Sequence, residues 1–159
     1  MSTLAYAEFT TKREEAVPGS SSTQNPPGVS TFVDALAALV PAEVLTLHAL
    51  ILSVTTIKAD NVTTISEPKT LKWAFAGLIV TSIVLYVAPR FRKWDKLDYL
   101  RAAIPPLAFV GWTMLQRSTA FDAIAPAMKD APRTVAGLFL GVVLGLLAST
   151  LAIRADQKT

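Results

Sequence analysis

The sequence predicts an all-α, polytopic membrane protein with about four transmembrane helices behind a flexible polar N-terminal tail. Three observations carry that expectation. The chain is apolar, with 52% hydrophobic and 17% charged residues, where a soluble domain has about 25% charged; its mean hydropathy is +0.43. The apolar residues are gathered into long stretches without Lys or Arg, separated by short charged connections, as a hydrocarbon solvent requires. One stretch, Thr134–Ile153, runs for 20 residues without a charge between Arg133 and Arg154, the length needed to cross a core of about 30 Å.

The same composition excludes several classes of function. The chain has no Cys, so it carries no disulfide framework, thiolate metal site or cysteine nucleophile. Its one His rules out a multi-histidine metal centre within a single chain. A net charge of +3, with the basic residues lying close to apolar segments, does not describe a nucleic-acid binder. Gly137-x-x-x-Gly141 lies inside an apolar helical stretch rather than after a strand, so it is not a nucleotide loop. No Ser-His-Asp arrangement is visible. No cofactor, metal or catalytic residue is assigned, and an enzyme is not expected.

Two units follow, a polar tail over 1–30 and a four-helix transmembrane domain over 31–159. Val17–Ser30 is nearly all Pro, Gly, Ser, Thr, Asn and Gln and cannot bury enough apolar surface to offset its ordering entropy. The first span is placed at about 36–57. Thr31 and Asp34 have capping-box spacing, and Pro41 interrupts the run. The residues allow a single kinked helix, or a short interfacial helix followed by a new one with Pro41 in its first turn. The second span, about 71–88, places Trp73 and Tyr86 near its two ends, as interfacial aromatics require, and Pro89 stops it. Arg90–Arg101 is the most basic stretch, readable as an interfacial helix or a solvated connector. The third span, about 102–121, begins at Ala-Ala-Ile-Pro-Pro, so Pro105 and Pro106 are expected in a first turn or at a break. The fourth span is 134–153.

Orientation comes from the basic residues. Lys12, Arg13, Arg90, Arg92, Lys93, Lys96, Arg101, Arg154 and Lys158 make nine on one side; Lys58, Lys69, Lys72, Arg117, Lys129 and Arg133 make six on the other. The positive-inside rule then puts both termini and the central loop in the cytoplasm, in a cell inner (cytoplasmic) membrane.

The most specific pattern is Gly137, Gly141, Gly145 and Ser149 in the fourth span. This glycine zipper clears one helix face so that another backbone can approach, either within the chain or between subunits. Looser small-residue faces, Ala42/Thr46/Ala49/Ser53 and Ala74/Gly77/Thr81, are expected to pack in the interior. Glu43 is a proton or cation site if it lies within hydrocarbon, or a first-turn residue suited to the helix dipole if a helix starts at Pro41. His48 stands about 140° around the helix from Glu43, so the two do not pair; it is either a hydrogen-bonded neutral ring or a pH-sensitive gate. Arg117 with Asp122 is assigned to a solvated outer loop.

Four short helices, the Ala42-Glu43-Val44 triplet and the glycine-rich fourth helix resemble the small multidrug resistance transporters. The resemblance implies that Glu43 exchanges protons for cationic drugs. It covers that triplet and the general layout only. The long polar tail, the charged central loop and the interrupted third segment depart from the family.

The function expected is a homo-oligomeric ion or small-solute channel or pore in the lipid bilayer, because four thin helices enclose little space alone. The rivals are a small proton-coupled transporter using Glu43, and a non-conducting scaffold or anchor that recruits a cytosolic partner through the tail or the 90–101 loop.

Overall fold

The computed structural model describes residues 29–59, 62–90, 96–116 and 118–156, and the tail over 1–28 lies outside the described residues. The elements are α1 (Val29–Leu39), α2 (Ala42–Thr55), an antiparallel hairpin of β1 (Thr56–Ala59) and β2 (Val62–Ile65), α3 (Pro68–Val87), a 3-10 turn at Ala88–Arg90, α4 (Lys96–Leu115), the short α5 (Ala120–Ile124) and α6 (Asp130–Asp156). The chain is mostly helical. Among the described residues, two helices are long and apolar enough to cross a membrane. Pro68–Arg90 spans 23 residues at mean hydropathy 1.8, and Asp130–Ala152 spans 23 residues at 2.3.

The first apolar segment is not a straight span. α1 and α2 are bent by 115° at Pro41. Proline disfavours a helical residue before it and lacks the N–H that a continuing helix would use. Val40 N–H donates back to Ala37 C=O at 3.2 Å, closing α1. Pro41 adopts φ −57°, ψ 134°, and its carbonyl accepts from Val44 N–H at 3.0 Å, starting α2. Of the two arrangements open to the sequence, the separate helices form. Thr31 and Asp34 lie inside α1 rather than at its cap.

The placement of the first span over 36–57 therefore changes at its far end too. α2 stops at Thr55, and Thr56 and Ile57 belong to β1. The β-branched runs on either side of the turn favour extended pairing over more helix. The register is Thr56↔Ile65, Ile57↔Thr64, Lys58↔Thr63 and Ala59↔Val62.

α3 starts with Pro68 at its first turn and buries Leu71, Phe75, Leu78, Ser82 and Tyr86, a single stripe at spacings of three and four. α4 is the central helix, packed against α1, α3 and α6. It corrects two expectations. It starts at Lys96, and Pro105 and Pro106 lie in its interior rather than at a break. Both prolines are buried, and their rings are held within the packed helix although two main-chain donors are lost. The helix also ends at Leu115 instead of running on to 121. Ser118 takes φ 55°, and α5 begins separately.

α4 and α6 run antiparallel, since Arg133 near the start of α6 bonds Thr113 and Met114 while Arg101 near the start of α4 bonds Leu151 C=O at 3.2 Å. Two glycines let them approach. A Cβ on Gly137 would lie 2.8 Å from Leu115 Cδ2 and 3.3 Å from Gly111 C=O; one on Gly111 would lie 3.1 Å from Leu140 Cδ2. A Cβ on Gly145 would meet nothing within 4 Å. Gly137→Leu is therefore expected to destabilise the fold by about 1–3 kcal/mol through overpacking, while Gly145→Leu leaves monomer stability unchanged. Denaturation of the two variants in detergent checks this, and equal losses would remove the close-packing account.

Candidate functional site: a buried guanidinium and an open cleft

At the hairpin end of the bundle three helix termini meet on one side chain. Arg133, in the first turn of α6, is 4% exposed. Its Nε donates to Met114 C=O at 2.7 Å and its Nη2 to Thr113 C=O at 3.3 Å. Those carbonyls end α4 and have no helical donors of their own. Its Nη1 donates to the Asp122 carboxylate, and the guanidinium lies 5.6 Å from the Phe121 ring centre. Asp122 also closes a capping box: Thr119 N–H donates to its Oδ2 at 2.7 Å. The Thr119 hydroxyl donates to Thr113 C=O at 2.9 Å. The end of α4 and the starts of α5 and α6 are thus tied into one network. Asp122 is paired with Arg133 rather than simply solvated; Arg117 lies outside the described residues.

His48 joins this region from α2. It is 1% exposed and stands edge-on to Phe109 and Trp112, each at 5.4 Å between ring centres. Its Nε2 accepts from Ala120 N–H at 3.4 Å, an orphan donor of α5. An accepting nitrogen carries no proton, so the ring is neutral here. Among the described residues no group of three or more His, Asp or Glu could hold a metal.

Glu43 lies elsewhere. It is exposed in the first turn of α2 and lines an open cleft of about 760 Å³ with Val40, Pro41, Tyr86, Arg90 and Pro105. The Arg90 guanidinium covers the Tyr86 ring at 4.5 Å. The Tyr86 side chain is 5% exposed, and its hydroxyl is buried without a hydrogen-bond partner. Nearby in sequence, Arg101 pairs with Asp98 at 3.3 Å.

The fourth-helix stripe divides. Gly137 packs on α4, and Gly141 faces Leu36 of α1, whose Cδ1 would lie 3.5 Å from a Cβ there. Gly145 is open, and the Ser149 hydroxyl donates to Leu146 C=O of its own helix at 2.9 Å. Of the looser faces, that of α2 points outward, with Ala42, Thr46, Ala49 and Ser53 exposed; on α3 Gly77 is exposed while Ala74 and Thr81 are half-buried. The stripe, Glu43 and His48 are therefore not brought into one site. Sequence reasoning missed Arg133, Gly111 and the Tyr86–Arg90 pair. The Thr119-x-x-Asp122 spacing was the available signal for α5.

The network makes an asymmetric prediction. Asp122→Ala leaves a buried guanidinium without its counter-charge and should cost roughly 3 kcal/mol, the lower end for a broken buried pair because Asp122 retains some solvent. Arg133→Gln also takes donors from the Thr113 and Met114 carbonyls, so its loss should be at least as large. Chemical denaturation in detergent measures both, and a loss in Arg133→Gln well below that of Asp122→Ala would sink the assignment of Arg133 as the link between the three helices.

Compared with known protein families, characterised proteins and solved structures, the chain matches none.

Proposed function

We propose that this chain is a cytoplasmic-membrane protein that assembles as a homo-oligomer and provides a path for ions or small solutes. The observation that carries the reading is the outer face of α2. Ala42, Thr46, Ala49 and Ser53 are exposed and form a small, hydroxyl-bearing strip. Thr46 and Ser53 donate to Ala42 C=O at 2.9 Å and Leu50 C=O at 2.7 Å, leaving hydroxyl lone pairs outward. Copies placed with α2 inward would join these strips around a narrow polar lumen, with lipid covering the large apolar side chains. Only 28% and 17% of the two long apolar stretches is buried within one chain, so lipid or further copies must cover the rest.

Within this reading α3, α4 and α6 cross the membrane, because α4 lies antiparallel along α6 and the end of one meets the start of the other. The hairpin then faces one side, and the 90–101 connection and the C-terminus face the cytoplasm. The 115° bend makes α1–α2 a re-entrant pair, with Ser30 on the hairpin's side. Single cysteines at Ser30 and Thr64 should label from the same side, opposite a reporter fused after Thr159. Labelling of Ser30 with the C-terminus instead would restore four crossings.

A second reading, proton-coupled transport, is favoured by Glu43 lying on the cleft. Flux through liposomes holding the purified protein separates the readings. A channel should conduct in the wild type, persist in Glu43→Gln and be blocked by Ala49→Trp. Complete loss in Glu43→Gln with the oligomer intact would identify a transporter. No flux in the wild type would leave a non-conducting scaffold.

A further inference from the structure

We propose that the cleft at the α1–α2 bend binds a glycerophospholipid with a primary ammonium headgroup, its phosphate on Arg90 and its ammonium on Glu43. The cleft measures about 760 Å³, enough for a headgroup and the upper part of the acyl chains, since small-molecule sites run from about 300 to 1,000 Å³. Much of its wall is aliphatic, including Ala38, Leu39, Leu45 and Leu85. Among the described residues, the charges that break this wall are one carboxylate and one guanidinium. Glu43 and Arg90 form no ion pair with each other, so each can take a group of opposite sign. One cation beside one anion matches a zwitterion better than a net anion.

The position of the charges is also that of a headgroup. Arg90 ends the 23-residue apolar stretch Pro68–Arg90, where a crossing helix meets the interface. Pro41 ends the aliphatic helix α1 there and presents Glu43 in the next turn. Arg90 is steadied over the Tyr86 ring at 4.5 Å, a cation–π contact that fixes its direction. The inference needs α3 to be embedded in lipid but does not need the chain to conduct, so it is read by binding rather than by flux.

The test is native mass spectrometry of delipidated protein in detergent, titrated with dioleoylphosphatidylethanolamine, dioleoylphosphatidylglycerol and water-soluble glycerophosphoethanolamine. The wild type should retain one phosphatidylethanolamine per chain, prefer it to phosphatidylglycerol, and ignore glycerophosphoethanolamine at the same concentration. Arg90→Gln should weaken retention of both lipids about tenfold, as loss of a charge-assisted phosphate contact implies. Glu43→Gln should erase the preference between them. Ala38→Trp, which fills the aliphatic wall without altering charge, should also expel the lipid. Circular dichroism confirms that each variant is folded; should Arg90→Gln fail to fold, Ala38→Trp and Glu43→Gln decide. Equal retention by the folded variants and the wild type overturns the site. Equal affinity for glycerophosphoethanolamine overturns the lipid in favour of a soluble phosphate ester. Equal retention of the two lipids by the wild type overturns the ammonium contact.

Discussion

Arg133 holds the hairpin end of this bundle together. A helix that stops inside apolar surroundings leaves its last carbonyls without donors, and water is not at hand to supply them. Here the guanidinium delivers two of its N–H groups to Thr113 and Met114 at the end of α4 and another to Asp122. Asp122 in turn closes the first turn of α5 through Thr119. The chain can therefore leave α4, turn through Ser118 with φ 55°, make one short helix and enter α6 with the Thr113 and Met114 carbonyls paired. His48 completes the set by accepting the Ala120 N–H. Once α4 and α6 are joined this way, their antiparallel alignment follows, and the glycines at 111 and 137 determine how closely they approach.

Prolines act in opposite ways in two places. Pro41 ends one helix and starts another, because α1 and α2 each bury only part of their surface and the chain can turn between them. Pro105 and Pro106 interrupt hydrogen bonding just as firmly, yet α4 passes through them. Pro105 is fully buried and Ala108 and Phe109 beside it are 0% exposed. Three neighbouring helices hold α4 on its path, so dispersion contacts around the rings offset the missing bonds. Tertiary packing thus decides whether a proline becomes a bend.

The outer surface is largely apolar. Phe139 and Leu146 on α6 are 69% and 62% exposed, and Trp73 on α3 is 80% exposed, which suits lipid or a partner helix and not water. Against this background the strip of Ala42, Thr46, Ala49 and Ser53 is chemically distinct. The Glu43–Arg90 cleft is distinct again, as a place where opposite charges border aliphatic side chains. The two features lie around one short helix, α2.

The sequence alone settled the helical class, the two long apolar helices and the importance of Pro41. These depend on length, hydropathy and the missing proline N–H, all local properties. It also identified the small face containing Gly137. It did not determine which neighbour fills that face, because a glycine leaves space without specifying what enters; Leu115 and Leu36 do. The Thr56–Ile65 hairpin was missed because Thr-Thr-Ile was read as an extension of a span. Asp122 was assigned to Arg117, its near neighbour in sequence. Tertiary structure chose Arg133, 11 residues away, because only a buried guanidinium at the junction of three helices can satisfy the carboxylate and the orphan carbonyls together.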